Sequence, residues 1–110
     1  MDLVTDYRSV LRRVLQEYAE WSGGKGITAE VIEDANRDHF ELIRFGWDGP
    51  RRVHGSILHV DVIDGKLWIQ HDGTNRPLAE ELVAAGIPKD QIVLGYKSPR
   101  IRPHTGYAVG

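Results

Sequence analysis

Histidine and acidic side chains occur together in one β-rich stretch, where they could carry acid–base chemistry. His59 and Asp61 are two residues apart, so on a strand they lie on the same face, and Gln70 falls on that face of the next predicted strand. A histidine oriented by a carboxylate is a usual general acid–base pair. Catalysis also needs a concave, water-poor pocket, which an open sheet face lacks. We therefore expect no catalytic residues here.

The same side chains are candidate metal ligands, since the chain contains five histidines. His54 and His59 are an odd number of residues apart, so on one strand they point to opposite faces. His59 and Asp61 together supply only half of the donors of a zinc site. The pattern favours a polar surface pair, and we expect neither a metal nor a cofactor. The absence of cysteine excludes disulfides, iron–sulfur clusters and thiolate zinc sites.

Tryptophan and arginine form a second group of candidate functional residues, because both are enriched at hot spots of protein–protein interfaces. Trp68 falls on the face of Asp61, and a pair of arginines follows Trp47 along the chain. The sequence leaves two alternatives for Trp68. It contacts a partner, or the N-terminal helix covers it as part of the core. The predicted partner-binding residues are Trp47, Arg51, Arg52, His59, Asp61, Trp68 and Gln70.

The strongest structural signal is a hairpin of two β-rich runs, 53–63 and 66–72, separated by Asp64-Gly65. Asp-Gly favours a two-residue type I′ turn, which fixes the register. The predicted pairs are Ile63–Lys66, Val62–Leu67, Asp61–Trp68, Val60–Ile69 and His59–Gln70. One face then carries an apolar set that must be core: Leu58, Val60, Val62, Leu67 and Ile69. The polar residues of the other face contact solvent or a partner.

The remaining periodicities predict two helices and further strands. Apolar residues at helical spacing indicate an amphipathic helix over 3–21 and a short helix over 78–86. Residues 27–34 and 38–47 alternate as strands, and 92–94 is expected to be buried. We expect an α+β fold, in which an N-terminal helix and a short second helix pack on a mainly antiparallel sheet of about four to five strands.

The composition is that of one globular domain. The chain has 110 residues, of which 41% are hydrophobic and 27% charged. We expect residues 1–110 to be a single domain, with 95–110 an extended basic C-terminal segment. No run approaches the ~18–20 apolar residues of a membrane span, and the N-terminus lacks the pattern of a signal peptide. A cytoplasmic protein without membrane contact is therefore expected.

The formal net charge of -2 argues against a dedicated DNA-binding protein, whose affinity rests on neutralising phosphates. Local basic groups are nevertheless present, and no helix-turn-helix, zinc-finger or RNP-type motif accompanies them. A DNA-binding accessory factor stays an alternative function. A small hydrolase-like enzyme working at His59 and Asp61 is a further alternative.

A series of short motifs extends over nearly the whole chain. Among them are Gly46-Trp47-Asp48-Gly49, Arg51-Arg52-Val53-His54-Gly55, His59-Val60-Asp61-Val62, Asp64-Gly65-Lys66-Leu67-Trp68-Ile69-Gln70, Asp72-Gly73-Thr74 and Gly86-Ile87-Pro88-Lys89. In this order they resemble the XisI-like family of fdxN element excision controlling factors. The departures are small: Asn75 stands where the family often has an acidic residue, and Tyr96-Lys97 where an aromatic–histidine pair is expected.

This resemblance implies a non-catalytic accessory protein without catalytic residues or cofactors. XisI-like proteins are named as controlling factors for excision of the fdxN element, a DNA rearrangement during heterocyst development in cyanobacteria. They are usually encoded beside XisH-like proteins, so the resemblance implies an XisH-like partner. We expect a regulatory module that binds this partner, associates with itself as a dimer, and reaches DNA only indirectly.

Overall fold

The computed structural model describes the backbone of residues 3–110 and the side chains of residues 7–110. Its elements in chain order are α1 (Leu3–Ser22), β1 (Ile27–Asp34), β2 (His39–Asp48), β3 (Arg51–Ile63), β4 (Lys66–Asp72), α2 (Leu78–Ala84) and β5 (Ile92–Leu94), with short 3-10 turns at Lys89–Gln91 and Arg102–His104. The side chain of Leu3, predicted to begin the apolar stripe of α1, lies outside the described residues.

Five strands form one sheet in the order β1-β2-β3-β4-β5. The first four strands form an antiparallel meander, whereas β5 is parallel to β4. A parallel pair needs a crossover connection, and α2 supplies it. The predicted α+β class, two helices on a mainly antiparallel sheet, is confirmed.

The hairpin of β3 and β4 has the predicted turn, since Asp64 (φ 50°) and Gly65 (φ 79°) both have the positive φ of a type I′ turn. The first four predicted pairs are confirmed. The predicted pairing of His59 with Gln70 is wrong. His59 pairs with His71, because a bulge adds one residue, Gln70, to β4 at this point.

Both helices cover the same face of the sheet, and the core lies between the helices and that face. Its fully buried side chains include Leu11, Leu15, Phe40, Leu42, Leu58, Val60, Leu67, Ile69, Leu78 and Leu82. Because neighbouring residues of a strand point to opposite faces, this burial places His59, Asp61 and Trp68 on the side away from the helices. We call that side the outer face. The N-terminal helix therefore does not cover Trp68.

Helix α1 is fixed over the sheet by polar contacts at its rim. The Arg8 guanidinium donates two hydrogen bonds of 2.8 Å to Asp38, and Arg12 donates two of 2.6 Å to Glu33. At the other end the Tyr18 hydroxyl donates to a backbone carbonyl 2.6 Å away. Within residues 3–110 neither helix is long and apolar enough to cross a membrane.

The segment of residues 95–110 folds back onto the outer face beside β5. The amide of Ala108 donates to the carbonyl of Ile92 at 2.9 Å, and Ala108 forms a parallel bridge with Val93. Val93, on the outer face, is fully buried as a result. Tyr107 packs against the core, whereas Ile101 remains half exposed.

Trp68 is partly covered by this C-terminal segment. The Arg102 guanidinium lies 5.0 Å from the centre of the Trp68 ring, and its Nε donates to the Lys97 carbonyl at 3.1 Å. Gly95 brings the backbone of the segment close to the sheet, since a Cβ at this position would lie 2.8 Å from the Gln70 Oε1 and 3.1 Å from the Ile69 carbonyl oxygen. A larger residue there would require the end of the Gln70 side chain to shift.

Replacement of Arg102 by alanine is expected to loosen the C-terminal segment. The variant loses a cation–π contact and two hydrogen bonds to carbonyls, which together stabilise the segment by about 1 kcal/mol. Amide hydrogen exchange should become faster in residues 95–110 and remain unchanged in the core of β3. Arg100→Ala, at an exposed site in the same segment, is the control. Equal exchange in both variants would contradict the structural role of Arg102.

Candidate functional site on the outer face

Four polar side chains meet on the outer face, and we call them the His–Asp cluster: His39, His59, Asp61 and Gln70. Oδ1 of Asp61 lies 2.6 Å from Nδ1 of His39 and 2.8 Å from Nε2 of His59. Gln70 donates from Nε2 to Oδ2 of Asp61 at 3.2 Å. Asp61 is 8% exposed and is the only buried polar or charged residue in the part of the chain that the structure describes.

His39 is the member of the cluster that sequence reasoning missed. It begins β2 and pairs directly with Asp61 of β3, 22 residues further along the chain. The alternation of β2 predicts that His39 is on the face opposite Phe40, but not which residue of β3 it meets. A bulge between Leu42 and Ile43 shifts that register.

Hydrogen bonding within the cluster shifts the pKa of two groups. Burial raises the pKa of Asp61, but the hydrogen bonds from His39 and His59 outweigh it, so the pKa lies below the ordinary 3.8. The pKa of His39 lies above the ordinary 6.5, mainly because the imidazole donates to Asp61. Among its other charged neighbours, Asp34 raises this pKa and Arg37 lowers it. The cluster thus keeps Asp61 ionised and favours a protonated His39.

The cluster also brings together atoms that bind metal ions. One donor atom each from His39, His59 and Asp61 lies within 4.8 Å of the others. Two imidazole nitrogens and a carboxylate oxygen are a donor set that transition metals use. The sequence-based expectation of half a site did not include His39.

Trp47 and the two arginines lie apart from this cluster, at the β2–β3 turn. Trp47 is 54% exposed, and the guanidinium of Arg52, its partner across the strands, lies 5.4 Å from the ring centre. Arg51 makes an exposed 3.4 Å pair with Asp48. Arg52 and His59 are seven residues apart on β3, or about 23 Å at the usual rise of a strand. The predicted partner-binding residues therefore form two separate groups.

Trp68 lies beside the His–Asp cluster, but contacts within the chain occupy part of its ring. Asp61 is its partner across the hairpin, and the C-terminal segment covers part of its ring. Of the tryptophans predicted to contact a partner, Trp47 offers the more exposed ring.

Comparison with known proteins identifies the family. A family model described as XisI protein matches residues 1–109. The chain belongs to the XisI family. A solved XisI-like protein from Anabaena variabilis is 34% identical, superposes with a TM-score of 0.88, and is matched over 97% of this chain and 99% of its own. No curated protein matches the chain.

A second solved XisI family structure carries a functional name. It is the fdxN element excision controlling factor XisI from Anabaena variabilis, with 33% identity and a TM-score of 0.81. The match covers 97% of this chain and 98% of that protein. The resemblance to the XisI-like family that the sequence motifs indicate is thus confirmed.

Asp61→Asn is expected to lower stability and change its pH dependence. The interaction of Asp61 with His39 contributes fully between their ordinary pKa values, 3.8 and 6.5. The contribution is lost as pH falls through the lowered pKa of Asp61, and as pH rises through the raised pKa of His39. Removal of a buried carboxylate that accepts several hydrogen bonds costs about 1–3 kcal/mol.

Urea unfolding at several pH values, with a chelator present, measures this effect, and NMR titration follows His39. In Asp61→Asn the pKa of His39 should return toward 6.5. Asp90→Asn, which removes an exposed carboxylate, is the control. An unchanged titration of His39 in Asp61→Asn would show that the hydrogen bond does not set its pKa.

Proposed function

We propose that this chain is a non-catalytic regulatory protein in the control of a DNA excision, and that it acts by binding an XisH-like protein. Membership of the XisI family supports the regulatory role, since a 33% identical relative is named as an excision controlling factor. An XisH-like partner is what the family resemblance implies. We further propose that the chain is cytoplasmic, as a protein that controls excision of chromosomal DNA in a bacterial cell would be.

The exposed ring of Trp47 is the observation that carries the partner-binding proposal. A tryptophan that is 54% exposed buries a large area on contact at a small cost in side-chain entropy. Its backbone is already fixed, since its amide donates to the carbonyl of Gly26 at 2.9 Å and it pairs with Arg52. Trp47 and Arg52 thus form a preorganised aromatic–cationic anchor, which lowers the entropic cost of binding.

Several arginines already form contacts within the chain, which favours a protein partner over direct DNA binding. Arg8 forms a bidentate ion pair with Asp38, Arg12 forms one with Glu33, and Arg76 pairs with Glu81. Arg102 lies against Trp68. Guanidinium groups already paired in this way are not free to neutralise phosphates, and the net charge is -2. In this proposal DNA is reached through the partner.

The openness of the His–Asp cluster favours binding over hydrolysis. The side chains of His39 and His59 are 50% and 38% exposed, so water reaches both imidazoles. A groove lined by Arg13, Glu17 and Glu81 lies between the helices, on the opposite side of the sheet. The hydrolase alternative at His59 and Asp61 would need a water-poor pocket around these two side chains.

Trp47→Ala should weaken binding to a co-expressed XisH-like protein by about 2 kcal/mol or more, a factor of roughly 30, because the anchor is lost. Isothermal titration calorimetry at physiological salt measures this change. Trp21→Ala is a matched control, since Trp21 is 50% exposed and also lies under an arginine, at 4.2 Å from Arg76. Equal effects of the two substitutions, or no binding by the unmodified chain, would overturn the proposal. Binding that persists only at low salt and extends to DNA would favour the DNA-binding alternative.

Self-association remains a prediction, and β1 is the element through which to test it. This strand is at the edge of the sheet, and an unpaired edge can join that of a second copy. Light scattering after size exclusion should give twice the mass of one chain. Ile32→Lys, which adds charge at a residue of β1 that is 47% exposed, should shift the protein toward monomer. Ile101→Lys, at a 50% exposed site in the C-terminal segment, should not. A monomeric unmodified chain would contradict the expected dimer.

A further inference from the structure

The most distinctive chemical feature of the outer face is the convergence of two histidines on one carboxylate oxygen. His39 comes from the start of β2, whereas His59 and Asp61 come from one face of β3. Their donor atoms lie within 4.8 Å of one another. Antiparallel strands with paired backbones hold all three, so the convergence does not depend on a flexible loop.

We propose that His39, His59 and Asp61 bind a divalent transition-metal ion, of which Zn²⁺ is the best match. The ligand atoms are Nδ1 of His39, Nε2 of His59 and Oδ1 of Asp61. In a tetrahedral zinc site, metal–ligand bonds of about 2.0–2.2 Å place neighbouring donors roughly 3.3 Å apart. The contacts of 2.6 and 2.8 Å between Oδ1 of Asp61 and the imidazole nitrogens therefore need to open by about half an ångström to admit the ion. The two imidazole nitrogens, which lie within 4.8 Å of each other, need to reach the same spacing. His39 is half exposed, so its ring has room to rotate toward this geometry.

The surroundings of Asp61 orient it for this role. Gln70 donates to Oδ2, so that Oδ1 is the oxygen that faces both imidazoles. Hydrogen bonds of this kind to a ligating carboxylate fix its orientation and raise metal affinity. Gln70 is the extra residue of the β3–β4 bulge, and its amide oxygen lies beside Gly95, where an added Cβ would come within 2.8 Å of it. The bulge that contradicted the predicted strand register is thus part of what supports the site.

The charge of the cluster also suits a cation. Asp61 is a buried carboxylate whose Oδ1 accepts hydrogen bonds from two imidazoles that water reaches, and whose Oδ2 accepts one from Gln70. A divalent ion would replace the imidazole protons at Oδ1 and leave the Gln70 hydrogen bond in place. Three protein ligands leave further positions on the solvent side for water or for a side chain of a partner. Binding should therefore be weaker than at a closed four-ligand structural site.

The test is titration of the 110-residue, chelator-treated chain with Zn²⁺ by calorimetry at neutral pH. One ion per chain should bind, and Zn²⁺ should raise the melting temperature. His39→Ala, His59→Ala and Asp61→Asn should each weaken binding by about 100-fold, and Gln70→Ala by about 10-fold, because loss of an outer hydrogen-bond partner costs 10–100-fold. Co²⁺ in place of Zn²⁺ should give the visible absorption of a tetrahedral or five-coordinate nitrogen–oxygen site, which His39→Ala removes.

Two matched controls make the result decisive. His54→Ala and His104→Ala each remove an exposed histidine outside the cluster and should leave zinc affinity unchanged. Circular dichroism of every variant separates loss of metal binding from loss of fold. Absence of saturable binding, or equal weakening by cluster and control substitutions, would overturn the proposal. The test does not involve the XisH-like partner, so its outcome is independent of the proposed regulatory function.

Discussion

The register of the β3–β4 hairpin is the constraint on which the rest of the structure depends. The two-residue Asp64-Gly65 turn allows one pairing of the strands near it, and that pairing separates apolar from polar side chains. A shift by one residue would expose Leu58 and Val60 and bury His59. Both helices then have only one apolar face on which to pack, and the opposite face is left for polar contacts.

The C-terminal segment divides the outer face into a covered part and an open part. By folding back beside β5, it buries Val93, covers part of the Trp68 ring, and leaves the β2–β3 end of the face open. The ring of Trp68 is stabilised within the chain by Arg102, whereas Trp47 is stacked with Arg52 at an exposed turn. A similar pairing of tryptophan and arginine thus has different consequences, because only one of the two sites is covered by the chain's own backbone.

The two surfaces for which we propose functions are about 23 Å apart along β3. The aromatic–cationic anchor at the turn has the character of a protein-binding hot spot, and the family relationship supplies a regulatory context for it. The His–Asp cluster lies near the centre of the sheet, where backbone pairing on both sides of β3 restricts its motion. A metal ion there would change the charge of the outer face without changing the fold.

The sequence by itself determined the elements and most of the hairpin. Periodicity gave α1 and the strands within a few residues, the Asp-Gly dipeptide gave the turn, and the order of motifs gave the family. Local signals suffice where interactions are local, as in a turn or an amphipathic stripe. Tertiary structure decided the rest: that the helices leave Trp68 uncovered, that the C-terminal segment returns to it, and that His39 meets Asp61. These three features depend on contacts between residues distant in sequence and on two bulges that shift the strand pairing. The hydrophobic pattern of the sequence predicts neither the contacts nor the bulges.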